Sequence, residues 1–309
     1  MQIYLFNYRI NMLQLLYTEG LTMKKVHILN PAAGKGGALR FKSYDNVHVT
    51  ECKGDAKWYV EQTICETDED IDFYVYGGDG TVNEVASGII ASKSDRARMC
   101  IQPCGSGNDL VRTVNEEGKD EIRADVLTLN DGYAVNVINT GFDLDVVLKA
   151  VQYKKLPLVS GSLAYILGIV NVLGSKMGRF MRIKYYNKDG EYGEYNGDCL
   201  LFVAANAKYY GGGFLAAPAA SITDGLIDLL IVKKMSRFRF LSLVAKYKKG
   251  SHIDLEKMLP KEEFLEFVSF EQCTSVVIEG IEEICADGDV IKTNRAEIGV
   301  LPSALRIIK

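Results

Sequence analysis

Between Val26 and Val114 a short apolar run four times ends in a turn and gives way to a helical pattern. Val26 to Leu29 runs into Asn30-Pro31-Ala32-Ala33-Gly34, and Val47 to Thr50 precedes Gly54-Asp55-Ala56 and an amphipathic helix to about Cys65. Ile71 to Tyr76 stops at Gly77-Gly78-Asp79-Gly80, after which Thr81 to Ala86 opens a helix. Met99 to Gln102 leads through Pro103-Cys104-Gly105-Ser106-Gly107-Asn108-Asp109 into a helix from Leu110 to Val114. Parallel neighbours need a crossover, usually a helix, where antiparallel ones can use a hairpin. The alternation therefore predicts an α/β domain with a parallel sheet, helices on both faces, and ligands beyond the carboxyl ends of the strands.

From about Asp125 the texture changes. Asp125 to Leu129, Tyr133 to Ile138, Met181 to Tyr186, Leu200 to Ala205, Leu226 to Val232 and Ser275 to Ile278 read as strands. Turn signals such as Asn130-Asp131-Gly132 and Lys188-Asp189-Gly190 separate several of them. This half is expected to form an antiparallel β-sandwich, interrupted by helical stretches at about 143–176 and 236–249. A chain of 309 residues accommodates two such domains, each with its own core.

Charge and cysteine usage narrow the function classes. The net charge of −4 is spread over 40 acidic and 36 basic residues, so no basic field favours nucleic acid as a partner. The seven cysteines form no C-x-x-C pair, and with three histidines in all neither a disulfide framework nor a structural zinc site is expected. Residues 1–22 hold one Arg and a short apolar run with no small-residue cleavage site after it, which argues against a signal peptide. Met23-Lys24-Lys25 offers an alternative start, with 1–22 as an extension before the first strand. Leu156 to Ser175, flanked by Lys154-Lys155 and Lys176, is uncharged over about the length of a membrane span. Its Gly, Ser, Asn and Pro content predicts a buried or interfacial helix instead.

Glycine at a strand end lets main-chain N–H groups approach a phosphate that a Cβ would hold away. Asp79 adds a condition, because a carboxylate inside a phosphate-cradling turn repels the ligand unless a divalent cation lies between them. Gly77-Gly78-Asp79-Gly80-Thr81 thus points to a Mg²⁺-nucleotide. The Gly-x-x-x-x-Gly-Lys-[Ser/Thr] spacing of a P-loop is absent, as is a Gly-x-Gly-x-x-Gly fingerprint after the first strand. Asp287-Gly288-Asp289 supplies two further carboxylates directly after an apolar strand, as an acid–base step would need.

Taken together, Asn30-Pro31 with Gly34, Gly77 to Thr81, Pro103-x-Gly105-Ser106-x-Asn108-Asp109 and Asp287-Gly288-Asp289 resemble the motif set of the diacylglycerol kinase catalytic domain. The branch is that of bacterial lipid kinases, which also includes sphingosine kinases. The resemblance continues through Asn139 to Asp143, Gly211-Gly212-Gly213 and Asp224 to Asp228, covering about 24–309. It implies an ATP-binding domain over 23–124, completed by a C-terminal segment of about 293–309, and a lipid-substrate sandwich over 125–292, with the active site in the cleft between them. It further implies Mg-dependent transfer of the γ-phosphoryl group of ATP to diacylglycerol or a related lipid, in phospholipid biosynthesis. The enzyme would be cytoplasmic or peripheral at the inner face of the membrane, and a homodimer stays open.

Carried over residue by residue, the resemblance places Asn30, Pro31, Gly34, Thr50, Gly77, Gly78, Asp79, Gly80, Thr81, Asn83, Gly105, Ser106, Asn108 and Asp109 at ATP. Ser106 replaces the commoner Thr and keeps a hydroxyl. A structural Mg²⁺ is implied at Ser221, Asp224 and Leu226. Asp79, Asp287 and Asp289 are the implied catalytic carboxylates. The family motif is usually Asp-Gly-Glu; the shorter Asp289 would reach the proton through a backbone shift or water, which makes Asp287 the stronger candidate for direct contact and leaves the base open between the two. Lys154-Lys155, Lys176, Arg179, Arg182 and Lys246 to Lys249 could rest on an anionic bilayer. Two alternatives stand beside this. An NAD kinase-type enzyme would share the Gly-Gly-Asp-Gly turn but would carry a Thr-Pro-Thr-Gly-Ser-type segment, which is absent. A non-catalytic nucleotide sensor would lack the carboxylates at 79 and 287, both of which are present.

Overall fold

The structure is a computed structural model, and it describes residues 23–105, 107–153, 161–175 and 178–309. Its first lobe contains β1 (Lys24–Leu29), β2 (Val47–Val49), β3 (Ile71–Gly77) and β4 (Ala97–Pro103), with α1 (Asp55–Cys65), α2 (Asp79–Ala91) and α3 (Asp109–Glu116). The strands pair in parallel in the order β2, β1, β3, β4. Every residue of β3 except Tyr74 is buried, as expected of a strand covered on both faces. Successive side chains alternate: Phe73 and Val75 join Val60, Ile64, Val82, Val85 and Ile89 of α1 and α2, while Tyr74 and Tyr76 face the other way.

That other face corrects one expectation. Among the described residues it carries no α-helix after β1, only a 3-10 segment, Ala33–Phe41, whose Ala38 and Phe41 pack with Leu29 and Tyr76. Three glycines, Gly34, Gly36 and Gly37, weaken a regular helix there by about 1 kcal/mol each.

The second lobe begins with β5 (Glu121–Leu129), β6 (Gly132–Ala134) and β7 (Val137–Gly141), followed by α4 (Phe142–Tyr153) and α5 (Gly161–Gly174). Then come β8 (Arg179–Asn187), β9 (Tyr192–Ala205), the ribbon β10 (Tyr209–Tyr210) and β11 (Phe214–Leu215), and β12 (Ile227–Lys233). After α6 (Arg237–Tyr247) follow β13 (Ile253–Asp254), β14 (Leu259–Pro260), β15 (Val268–Glu279), β16 (Glu283–Ala286), β17 (Asp289–Lys292) and β18 (Arg295–Ile308). β7, β9, β12 and β15 pair antiparallel in that order, with β8 bridging β9 and β15. Met181 and Ile183 of β8 point into the sandwich core while Arg182 and Lys184 point out, the period-two signature read from the sequence. The fold class is that expected, an α/β lobe followed by an antiparallel sandwich.

β18 ties the lobes together. Residues 295–299 pair with β15, its last residues Ile307 and Ile308 pair in parallel with β4, and β5 runs antiparallel to it on both sides of a register shift at Leu301/Leu305.

Within Leu156 to Ser175, residues 161–174 form α5, roughly 21 Å long at the α-helical rise. Residues 156–160, like Lys154, Lys155 and Lys176, lie outside the described residues. Ala164 and Val172 are buried, Val170 is exposed, and Gly168 lets the helix approach α4 so closely that a Cβ there would stand 2.7 Å from the Val146 carbonyl oxygen. No helix among the described residues is long and apolar enough to cross a membrane.

His252 is fully buried, its ring 4.8 Å from that of Tyr247. Its ring nitrogens lack a well-aligned partner, and burial lowers its pKa from 6.5 to about 4, with only partial relief from the Ala216 and Lys246 backbone. The unfolded chain takes up this proton first as pH falls, so stability present above pH 6.5 is lost towards pH 4, by about 3 kcal/mol at ~1.4 kcal/mol per unit. Urea unfolding at pH 7 and pH 4.5 should show this loss in the wild type and a smaller one in His252→Leu. Equal losses in both would count against the buried neutral imidazole.

Candidate active site

The carboxyl ends of β1, β3 and β4 and the β16–β17 turn enclose an open cleft of about 820 Å³, lined by Asn30, Gly34, Gly78, Asp79, Gly80, Thr81, Gly105, Asp287 and Asp289. It shares Asn30, Gly80 and Thr81 with a recess of about 350 Å³ that adds Pro31, Thr50, Lys53 and Glu84. Two of the turns touch because they are glycine. A Cβ on Gly105 would lie 2.5 Å from Gly78 Cα, and one on Gly34 would lie 2.6 Å from the Cys104 carbonyl oxygen. Gly34 also has φ +58°, a conformation that other residues adopt only with strain. Asn30 links the first and third turns, since its Nδ2 donates to Thr81 Oγ1 at 2.9 Å while its Oδ1 accepts from Ala32 N–H at 2.9 Å. The result is a floor made of the first turn of α2, whose leading N–H groups have no carbonyl partner within the helix and favour an anion.

Two carboxylates meet beneath this floor. Asp79 Oδ1 accepts from Asp109 N–H at 3.2 Å. Asp109 is buried; its Oδ2 accepts from Gly212 N–H at 2.8 Å, and its Oδ1 has no hydrogen bond, the nearest cation being Arg112 Nε at 3.7 Å. Burial, then the neighbouring charge of Asp109, raises the pKa of Asp79. A divalent cation would relieve the repulsion between these two carboxylates, whose hard oxygen donors suit Mg²⁺.

The two carboxylates of the Asp287-Gly288-Asp289 turn differ in access, against the preference for direct contact through Asp287. Asp287 Oδ2 accepts from Asn83 Nδ2 at 2.8 Å and Val135 N–H at 2.6 Å, and Oδ1 from Asn136 N–H at 3.0 Å and Val137 N–H at 2.8 Å. About four acceptor positions are available on a carboxylate, and all are filled. Asp287 thus clamps β6–β7 to α2, and it offers no free lone pair to a substrate hydroxyl. Burial raises its pKa, and these hydrogen bonds oppose the shift. Asp289 stands at the cleft with its side chain 43% exposed, paired with Lys53 Nζ at 2.8 Å. Of the two, Asp289 has the access that a proton acceptor requires.

Other sequence-derived positions fall in different places. Asn83 faces Asp287 and the Tyr133 carbonyl, which it reaches at 3.0 Å, instead of the cleft. Asn108, at φ +53°, closes its own turn by accepting from Gly105 N–H at 3.0 Å and donating to Gly105 C=O at 2.9 Å. Gly77 lies under the Thr81 side chain, Thr50 lines the recess, and Ser106 lies outside the described residues. Ser221, Asp224 and Leu226 sit in the turn before β12, and none of them lines the cleft or the recess. There Asp224 Oδ1 accepts from Leu226 N–H at 3.0 Å, and burial, then the charge of Asp125, raises the pKa of Asp224. Asp125 itself is buried and accepts from Gly225 N–H at 2.6 Å and Ser303 N–H at 2.7 Å. Among the described residues no three His, Cys, Asp or Glu side chains converge as a metal cluster.

Lys53 and Glu84 were not singled out from the sequence. Glu84 Oε1 accepts from Gly54 N–H at 2.8 Å and draws the β2–α1 loop to the cleft. The only sequence cue was their place beside Gly54-Asp55-Ala56 and Asn83.

Behind the site lies an apolar void of about 90 Å³, lined by Phe142, Leu201, Phe214, Phe240, Leu243 and Val244, with Asp143, Tyr210 and Tyr247 on one wall. Asp143 Oδ2 accepts from Tyr210 OH at 2.7 Å and from Asn139 Nδ2, and the Tyr210 and Tyr247 hydroxyls are 3.0 Å apart. Gly211 lines the void, and the next residue, Gly212, donates to Asp109, which in turn donates to Asp79, so one hairpin connects the void to the carboxylate pair.

Comparison with known proteins gives matching results for both lobes. Residues 26–139 match the diacylglycerol kinase catalytic domain, and residues 136–309 match the YegS C-terminal NAD kinase beta sandwich-like domain. The chain is 28% identical over 222 residues to a diacylglycerol kinase of Bacillus subtilis, covering 68% of this chain and 70% of that one. It is 26% identical over 316 residues to a diacylglycerol kinase of Mycobacterium tuberculosis, covering 93% and 95%. The crystal structure of a diacylglycerol kinase from Bacillus anthracis superposes with a TM-score of 0.66 at 23% identity, over 92% of this chain and 96% of that one, a likeness of fold.

Proposed function

Because the chain belongs to the family of kinases built from the diacylglycerol kinase catalytic domain and the YegS-type C-terminal sandwich, we propose that it transfers the γ-phosphoryl group of ATP to the hydroxyl of diacylglycerol or a related long-chain lipid alcohol. ATP lies in the cleft with its phosphates on the first turn of α2 and its nucleoside towards Pro31 and Thr50. Asp79, with the Asp109 carboxylate close to it, would hold Mg²⁺, which when bound would neutralise phosphate charge. Ser221, Asp224 and Leu226 would hold a second, structural Mg²⁺ through oxygen donors only. The acceptor oxygen attacks the γ-phosphorus, the bond to the β-phosphate oxygen breaks, ADP leaves, and Asp289 takes the hydroxyl proton. The observation that carries this reading is the meeting of Asp79 and Asp289, from opposite ends of the chain, in one cleft.

The void between Phe142, Leu201, Phe240 and Leu243 would take acceptor hydrocarbon, the Gly211–Gly213 hairpin linking it to Asp109. Contact with a bilayer would be made by α6, where Phe238 is 88% exposed and Leu241 45%. The apolar part of that contact is stronger than its charge, since Arg179 is paired with Asp145 and Lys246 with Glu263.

Incubation with radiolabelled ATP, Mg²⁺, a panel of lipid micelles and NAD tests the assignment. Label is expected on a lipid; label on NAD and on no lipid would overturn it. Leu243→Trp, which fills the void, should raise KM for long-chain diacylglycerol about tenfold and for a short-chain analogue far less, because roughly 0.8 kcal/mol accompanies each buried methylene. An equal effect on both would remove the void from the acceptor site.

A further inference from the structure

Lys53 lies in the loop between β2 and α1, yet its ammonium bonds across the cleft mouth to Asp289 of the other lobe at 2.8 Å. Its backbone is fixed from three sides. Thr50 N–H donates to the Leu29 carbonyl at 2.9 Å, Glu51 N–H to Asp55 Oδ2 at 2.8 Å, and Gly54 N–H to Glu84 Oε1 at 2.8 Å. The side chain is therefore the mobile part. The Lys53 and Asp289 side chains are 72% and 43% exposed, and an exposed pair of this kind contributes roughly 0–1 kcal/mol, so it exchanges readily.

Position gives the exchange a direction. Lys53 lines the recess that opens into the cleft through Asn30, Gly80 and Thr81, and Asp289 lines the cleft itself. A triphosphate on the first turn of α2 brings several anionic oxygens within reach of the same ammonium, against the single carboxylate of Asp289. The long lysine stem can turn from one to the other without moving the anchored loop.

We infer that Lys53 is a positioning residue that passes from Asp289 to the phosphates of the nucleotide, so that ATP binding frees the Asp289 carboxylate to face the acceptor hydroxyl. Binding of donor and activation of the base are thereby coupled through one cation. The inference rests on the nucleotide site proposed above.

The test is a double-mutant cycle on nucleotide affinity, measured by calorimetric titration of a non-hydrolysable ATP analogue with Mg²⁺ in the absence of lipid. Asp289→Asn removes the competitor and should tighten binding by about threefold, the scale of an exposed ion pair. Lys53→Met should weaken it by about tenfold, and Lys53→Arg should restore most of the loss. In the double variant Asp289→Asn should give no tightening beyond Lys53→Met alone. Equal tightening in both backgrounds would mean general relief of repulsion and would overturn the exchange, as would unchanged affinity in Lys53→Met. If the wild type binds no nucleotide, the proposed site falls and the inference with it. Coinciding thermal melts for all variants would separate these effects from a loss of structure.

Discussion

Asp79→Asn should reduce phosphoryl transfer at least about a thousandfold, roughly 4 kcal/mol of transition-state stabilisation, while leaving the protein folded. The first part follows from the place of Asp79 at the head of α2, in the cleft proposed for the nucleotide and against Asp109. The second follows from the sign of its pKa shift. Burial and the charge of Asp109 raise the folded pKa, so the folded state binds this proton more readily than the unfolded chain does. The resulting cost is fully present above the folded pKa and disappears on acidification below the unfolded one. In magnesium-free buffer at neutral pH, Asn should therefore leave stability unchanged or slightly higher. Steady-state kinetics and thermal melts on the same preparation would decide the matter; near-normal turnover would remove Asp79 from the proposed cation site.

For Asp287→Ala the expected result is the opposite, a loss of structure before any question of catalysis arises. Three buried main-chain donors, the N–H groups of Val135, Asn136 and Val137, lose their acceptor, and Asn83 keeps only the Tyr133 carbonyl of its two acceptors. At about 1–3 kcal/mol for each unsatisfied buried donor, the loss is on the order of 5 kcal/mol, comparable with the total stability of many domains. Ala is also strained at the left-handed φ of +49° that Asp287 adopts, where Asp and Asn are better tolerated. Asp287→Asn keeps one acceptor oxygen but turns an NH₂ group towards main-chain N–H donors, so a smaller loss is expected. Urea unfolding curves would measure both. A stable Asp287→Ala protein devoid of turnover would return the role of proton acceptor to this residue.

These two carboxylates show where sequence reasoning stops. Asp79 and Asp287 each stand in an acidic glycine turn after an apolar strand, and in the sequence they look alike. Both line the cleft, but Asp287 has its carboxylate taken up by four donors, three of them main-chain groups of a hairpin about 150 positions away in the chain, and Asp79 has not. Asn83 behaves in the same way, because its amide is taken up by Asp287, which local spacing does not reveal.

What the sequence determined by itself was everything carried by local chemistry. Apolar runs that end in glycine turns require a parallel sheet with its turns gathered at one end, and period-two alternation after Asp125 requires a sandwich. The glycines at 34 and 105 point to close backbone approach, because only the absence of Cβ permits it. Tertiary structure alone decided which carboxylate is free. It placed Lys53 opposite Asp289, joined the Gly211–Gly213 hairpin to Asp109, and left one face of the parallel sheet to a 3-10 segment. Each of these depends on contacts between residues far apart in the chain, and their energies come from burial and hydrogen-bond geometry, which no local pattern encodes.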